Sequence, residues 1–160
     1  MKTRTIKLLE ATSVSDYNIA IKLFKEYATH IGIDLGFQDF DKEIQNLESK
    51  YSKPEGVLYI AYDNEKIPVG CFGIRAFKGG ICELKRMYLK ENARGYGFGK
   101  LMMAKAIAAG KELGYHKMRL DTLSSMLPAV GLYEKTGFYE IAPYYFNPIA
   151  EAKYFELNLE

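Results

Sequence analysis

Apolar and polar residues repeat along this chain with two periods. Ile19, Leu23, Tyr27 and Ile31 recur every fourth residue, with Ala20 and Phe24 beside them. That spacing predicts a helix from about Asp16 to Ile31, capped by Ser15-Asp16 and ended by Gly32. Ile33 to Phe37 reads as a loop. Phe40, Ile44 and Leu47 mark the inward face of a second helix over Asp39–Ser49. The shorter period belongs to strands. Thr5–Glu10 is a first strand, and Val57–Tyr62 (VLYIAY) a strongly apolar second one. Asp63 to Lys66 is a hairpin turn into Ile67–Phe77, where Gly70 and Gly73 predict a bend or bulge. After the tight turn Lys78-Gly79-Gly80, Ile81–Leu89 completes a meander.

The second half changes rhythm. Phe98, Leu101, Met102, Ala106, Ala109 and Leu113 share one broad face of a helix over Gly97–Leu113, stopped by Gly114. Lys117–Thr122 alternates as a strand. Strand, helix and strand at this spacing form a right-handed parallel crossover. Pro128–Thr136 is a short helix with Gly137 as its C-cap. Phe138–Ile141, an aromatic loop over Pro143–Pro148 and a strand over Ala152–Leu159 finish the chain. The sum is one α/β domain over residues 1–160, its central mixed sheet flanked by about four helices.

Composition narrows the partners more than the fold. The 160 residues are 48% hydrophobic and 26% charged, as in ordinary globular domains. A net charge of +2 is too small to argue by itself for a nucleic-acid surface, so a nucleic-acid partner is not expected. No apolar run is long enough to cross a bilayer, and Met1-Lys2-Thr3-Arg4 leads into no signal-peptide core. A cytoplasmic location is the default expectation. Cys71 and Cys82 fall in adjacent predicted strands and read as reduced core residues. His30 and His116 show no ligand spacing, so no metal is expected.

The chemistry concentrates in Glu83–Met103 (ELKRMYLKENARGYGFGKLMM). A strand ends, and Arg94-Gly95-Tyr96-Gly97-Phe98-Gly99-Lys100 opens the next helix. Glycines let the backbone approach a ligand closely, and the first helical N–H groups lack partners inside the helix. With Arg94 and Lys100 at its ends, such a loop suits phosphate. The glycine spacing fails the dinucleotide pattern and lacks the Gly-Lys-Ser/Thr of an ATP loop. It matches Gln/Arg-x-x-Gly-x-Gly/Ala through Arg94, Gly97 and Gly99. Together with Leu132-Tyr133-Glu134-Lys135-Thr136-Gly137-Phe138, it makes the chain resemble the GNAT N-acetyltransferase superfamily, as a small single-domain bacterial-type member.

The resemblance implies a GNAT-like acyl-CoA N-acyltransferase fold with a mostly antiparallel sheet, and acetyl-CoA as co-substrate. It implies that residues 94–100 grip the pyrophosphate. It also implies that the backbone of Met87, Tyr88 and Leu89 binds the pantetheine arm, where an N–H could polarise the thioester carbonyl. Tyr133 would point at the coenzyme sulfur and protonate the leaving thiolate. Many members carry Asn seven residues before this tyrosine. Met126 stands there, so backbone groups of Leu123, Ser124 and Met126 would have to serve.

Glu83 lies in a predicted central strand, where a charge is costly unless paired or facing a wet cleft. Alternation puts Glu83, Lys85 and Met87 on one face and Leu84, Arg86 and Tyr88 on the other. Glu83 reads either as an ion pair with a neighbouring strand or as the base that deprotonates an amine. The resemblance supports the second role, because several protein acetyltransferases of the superfamily place a glutamate base at this spacing from the loop. Asp34, Phe37, Arg75, Tyr144, Tyr145 and Asn147 are the acceptor-site candidates. The expected activity is acetyl transfer to a primary amine of a small molecule or peptide by direct attack in a ternary complex. The alternatives are a non-catalytic acyl-CoA sensor, or an acetyltransferase acting on protein or aminoacyl-tRNA. Edge strands near the C-terminus offer a homodimer contact.

Overall fold

The computed structural model describes residues 3–32 and 34–160; the side chain of Phe37 also lies outside the described part. Strand β1 (Lys7–Glu10) leads into helix α1 (Val14–Ile31). The helix starts two residues earlier than Asp16. Ser13 is the cap: its hydroxyl accepts from the Asp16 amide, and the Asp16 carboxylate accepts from the Ser13 amide. This reciprocal capping box outcompetes the cap expected at Ser15. Gly32, at φ 67°, ends the helix as expected.

The helix expected over Asp39–Ser49 is broken in two. A 3-10 turn (Leu35–Gln38) precedes α2 (Phe40–Gln45), and α3 (Leu47–Lys50) follows after Asn46. Asn46 leaves helical geometry at φ −126° and ψ 33°, and its side-chain amide donates to the Lys42 carbonyl. Asparagine competes for backbone groups in this way, which apolar periodicity does not register.

Strands β2 (Val57–Tyr62), β3 (Pro68–Lys78) and β4 (Ile81–Leu89) form the antiparallel meander. Helix α4 (Phe98–Glu112) crosses over to β5 (Lys117–Leu123), which pairs parallel to β4. Helix α5 (Leu127–Thr136), β6 (Tyr139–Ile141) and β7 (Ala152–Asn158) complete the chain. Strand β7 inserts between β5 and β6, so the order is β1-β2-β3-β4-β5-β7-β6. One pair is parallel and the rest antiparallel.

Each face of the sheet carries its own apolar core. Phe72, Ile74, Cys82 and Leu84 pack with Phe98, Met102 and Ala106 of α4 and Val130 and Tyr133 of α5. Leu58, Ile60 and Cys71 pack on the other face with Ala20, Leu23 and Phe24 of α1 and Leu47 and Tyr51. Cys71 and Cys82 therefore lie in separate cores as free thiols, and burial raises both pKa values. Gly73 is needed where Tyr51 crosses β3, because a Cβ there would stand 2.5 Å from the tyrosine ring.

The alternation expected along β4 breaks at Arg86. Cys71 pairs with Tyr88 and Gly73 with Lys85, so Phe72 alone opposes both Arg86 and Met87. This is a β-bulge, and Arg86 takes φ 57°. Arg86 joins Lys85 on the side of α1 and α2, while Met87 turns to the Leu84 side and Tyr88 to the other core. The cause lies across the fold: Arg86 forms a two-point ion pair with Glu43, both side chains almost wholly buried.

Among the described residues no helix is long and apolar enough to cross a membrane.

Candidate active site

Strands β4 and β5 pair only from Ile81 to Glu83 with Lys117 to Arg119. Beyond that point β5 continues against β7 as far as Leu123, and β4 goes on to Leu89 without it. The two strands splay, and the β4 edge loses its neighbour on that side. A cleft of about 410 Å³ opens beside the end of β4. It is lined by Met87, Tyr88, Leu89, Arg94 and Gly99, by Ser125, Met126 and Tyr133, and by Tyr27 and His30 of α1.

The glycine loop lies at one end of this cleft. Gly95 and Gly97 sit at φ 87° and 79°, and a Cβ on either would meet no atom within 4 Å. Their need for glycine is conformational. Helix α4 begins at Phe98 with no side-chain cap. Among the described residues, the amides from Gly95 to Lys100 donate to no backbone carbonyl outside the helix, whereas the Arg94 amide donates to Glu91 and the Leu101 amide to Gly97. Unpaired amides at a helix start, with Lys100 exposed among them, have the chemistry that suits an anion. The Phe98 side chain is buried in the core, so only its amide is available there. Tyr96 stacks on Phe98 and lies under the Arg4 guanidinium. Arg94 reaches back: its Nε donates to the Leu89 carbonyl at 2.9 Å, and Nη2 lies 3.3 Å from Nε2 of His30.

Tyr133 lines the cleft from α5, edge-on to Phe138. Among the described residues no group hydrogen-bonds its hydroxyl, and burial pushes its pKa upward. The backbone beyond β5 is less available than expected. The Ser124 amide donates to the Glu151 carbonyl and the Met126 amide to the Leu123 carbonyl. Ser125, which the motif does not single out, is the residue of this stretch that lines the cleft beside Met126.

Glu83 does not line this cleft. It faces a second pocket of about 510 Å³ on the α2 side of the sheet, with Arg75, Lys85, Gln38 and Tyr145. Its Oε1 accepts from Arg75 Nε at 3.3 Å, and its Oε2 accepts from the Tyr144 hydroxyl at 2.9 Å. The ion-pair reading of Glu83 is thus realised with its cross-strand partner Arg75. Burial and the neighbouring Glu83 drive the Tyr144 pKa up.

A narrow cavity of about 40 Å³ lies between the two spaces and shares walls with both. It shares Tyr27 and Met126 with the cleft, and Gln38 and Lys85 with the second pocket. Asp121 lies in its wall, accepting from the Tyr145 hydroxyl at 2.7 Å, Gln38 Nε2 at 3.1 Å and Lys85 Nζ at 3.4 Å. Burial opposes the Asp121 charge, but Lys85 and the Tyr145 hydroxyl hold its pKa below the usual value; burial lowers that of Lys85.

The other acceptor candidates separate. Asn147 lines the narrow cavity, and its Oδ1 accepts from the Ile149 amide. Asp34 is exposed and caps the 3-10 turn through the Gly36 amide, so local structure accounts for it. The side chain of Phe37 lies outside the described residues. Gln38, Lys85 and Asp121 line the candidate site, although the sequence reading does not single them out. Lys85 carries a signal, a charge inside a central strand; Gln38 carries none.

The profile of the acetyltransferase (GNAT) family matches residues 12–138. An uncharacterised N-acetyltransferase of Schizosaccharomyces pombe is 38% identical over 99% of this chain and 98% of its own. Among solved structures, a GNAT-family acetyltransferase of Staphylococcus aureus shares the fold with a TM-score of 0.80, at 24% identity, covering 98% of this chain and 100% of that one. An acetyltransferase of Bacillus subtilis, solved in complex with CoA, superposes with a TM-score of 0.68 at 19% identity, covering 96% and 99%. With the family profile spanning most of its length and a relative of this identity from end to end, the chain belongs to the GNAT acetyltransferase family.

Proposed function

We propose that the chain transfers the acetyl group of acetyl-CoA to a primary amine of a small molecule or peptide in the cytoplasm. The observation that carries this reading is a row of three spaces with shared walls: the cleft at the splayed strands, the narrow cavity and the pocket holding Glu83. The diphosphate binds the free amides from Gly95 to Lys100, with Arg94 and Lys100 supplying charge. The pantetheine arm runs along the β4 edge at Met87–Leu89, where β5 has left. The bulge at Arg86 breaks the regular ladder next to the thioester, so a backbone amide of this segment polarises its carbonyl.

The acceptor occupies the second pocket and presents its amine through the narrow cavity. The neutral amine attacks the thioester carbon directly, and the thiolate departs toward Tyr133, whose hydroxyl donates a proton or a hydrogen bond. Glu83 accepts the amine proton through water. A carboxylate offers about four lone-pair directions, and two on Glu83 are used by Arg75 and Tyr144. No covalent enzyme intermediate is required.

Calorimetric titration with acetyl-CoA and a thiol-release assay over an amine panel test the reading together. Binding with turnover supports it. Absence of CoA binding, or equal binding by Gly97→Glu, overturns it, and tight binding without turnover on any amine points to a sensor instead.

A further inference from the structure

We propose that the acceptor amine also bears a carboxylate, and that Arg75 recognises it. This rests on reading the second pocket as the acceptor pocket. Arg75 leaves β3 opposite Glu83 of β4. Its Nε is tied to Glu83 Oε1, while Tyr144 holds Oε2 from the other side. Glu83 thereby fixes the plane of the guanidinium. Among the described residues, neither Nη of Arg75 has an acceptor. The side chain is 21% exposed, and it lines the pocket. Two parallel N–H groups held in a fixed plane match a carboxylate in bidentate geometry.

The rest of the floor is already committed. Lys85 lies against Asp121 and Gln38, and the Tyr145 hydroxyl donates to Asp121. Glu83 is paired with Arg75 and Asp121 with Lys85, so each carboxylate already has a counter-charge. Asp39, Lys50 and Glu55 are exposed residues of the rim with mixed sign. Glu83 keeps acceptor directions for the amine proton, and the paired donors left free on the floor are those of Arg75. A polyamine would meet Arg75 and Lys85 with their counter-charges occupied; an amino acid would set its carboxylate on Arg75 and leave its amine for the narrow cavity.

The test compares matched acceptors by thiol release: amino acids, their carboxamides, and spermidine as a carboxylate-free polyamine. We expect kcat/KM for the carboxylates to exceed that for the carboxamides by about 10- to 100-fold, the range for hydrogen bonds to a charged group. Arg75→Gln should collapse that ratio toward one, chiefly through KM. Arg75→Lys, which keeps a charge beside Glu83, should retain part of it. Equal turnover of carboxamides or spermidine by the parent, or an unchanged ratio in both variants, overturns the inference. Calorimetry with CoA runs alongside. Loss of CoA binding by the parent counts against the acetyl-transfer reading, whereas robust turnover restricted to carboxylate-free amines sinks this inference alone.

Discussion

Arg86 and Glu43 are joined across the interior by two hydrogen bonds, Nη2 to Oε1 at 2.7 Å and Nε to Oε2 at 3.2 Å. Arg86 Nη1 also donates to Gln38 at 2.7 Å, and the Tyr51 hydroxyl donates to Glu43. The pair ties the bulge of β4 to α2, and so holds the strand in the shape that leaves its end open beside the cleft. Removing one partner strands the other as a buried unpaired charge, which costs about 3–5 kcal/mol. Glu43→Ala should lower the denaturation midpoint accordingly, measured by urea titration followed by circular dichroism. An unchanged midpoint would show that the bulge stands without the pair.

The same carboxylate sets an acid limit. Burial alone would raise the Glu43 pKa, but Arg86 and the Tyr51 hydroxyl hold it below the ordinary 4.5. A depressed folded value means the stabilising contribution is present above the unfolded pKa and is lost as pH falls through the folded one. Unfolding free energy measured from pH 7 to pH 2 should therefore drop below about pH 4.5. Part of that drop should be missing in Glu43→Gln, which cannot titrate.

Tyr133→Phe keeps the ring packed against Phe138 and Phe155 and removes only the hydroxyl. Loss of one general acid costs about 10²- to 10⁴-fold, and less where the group merely hydrogen-bonds a good leaving group. The expected signature is a fall in kcat of at least about tenfold with little change in CoA affinity. Because burial raises the Tyr133 pKa, the hydroxyl stays protonated through the neutral range, so no alkaline loss of activity assignable to it should begin below the ordinary phenol value of 10. Steady-state kinetics at several pH values decide both points.

Glu83→Gln separates two roles. As proton acceptor, Glu83 acts on kcat, and the variant should lose about 10²-fold or more there. If Glu83 serves only to orient Arg75, the loss should appear in KM for the acceptor with kcat retained. A variant with neither change removes Glu83 from both roles.

Gly73→Ala tests the packing that carries β3 past Tyr51. The added methyl would sit 2.5 Å from Tyr51 Cδ1 and Cε1. Tyr51 is fully buried and packs edge-on against Phe24, so the ring is confined on that side. Overpacking of this kind costs about 1–3 kcal/mol. Thermal melts should register it, and a melting temperature equal to the parent's would mean the ring adjusts freely.

The elements that depend on local signals are legible in the sequence. Periodicity places α1, the meander and the crossover, and tertiary packing moves mostly their ends. The glycine loop can be read because conformational freedom and unpaired amides follow from a few neighbouring residues. What periodicity misses involves partners distant in the chain or side-chain bonds to the backbone. Arg86 and Met87 exchange faces because of a bulge held by Glu43, 43 residues away. Asn46 breaks a helix through a side-chain bond that an apolar pattern does not encode.

By itself, then, the sequence determined the kind of elements, their order, the parallel crossover and the phosphate-suited loop, because each arises from spacing within one segment. Only the tertiary structure decided that β4 and β5 part after Glu83, that Glu83 faces Arg75 and Tyr144 rather than the cleft, and that Gln38, Lys85 and Asp121 stand between the two spaces. Those relations depend on strand register and on which buried charges find each other, and both are settled when segments far apart in the chain pack together.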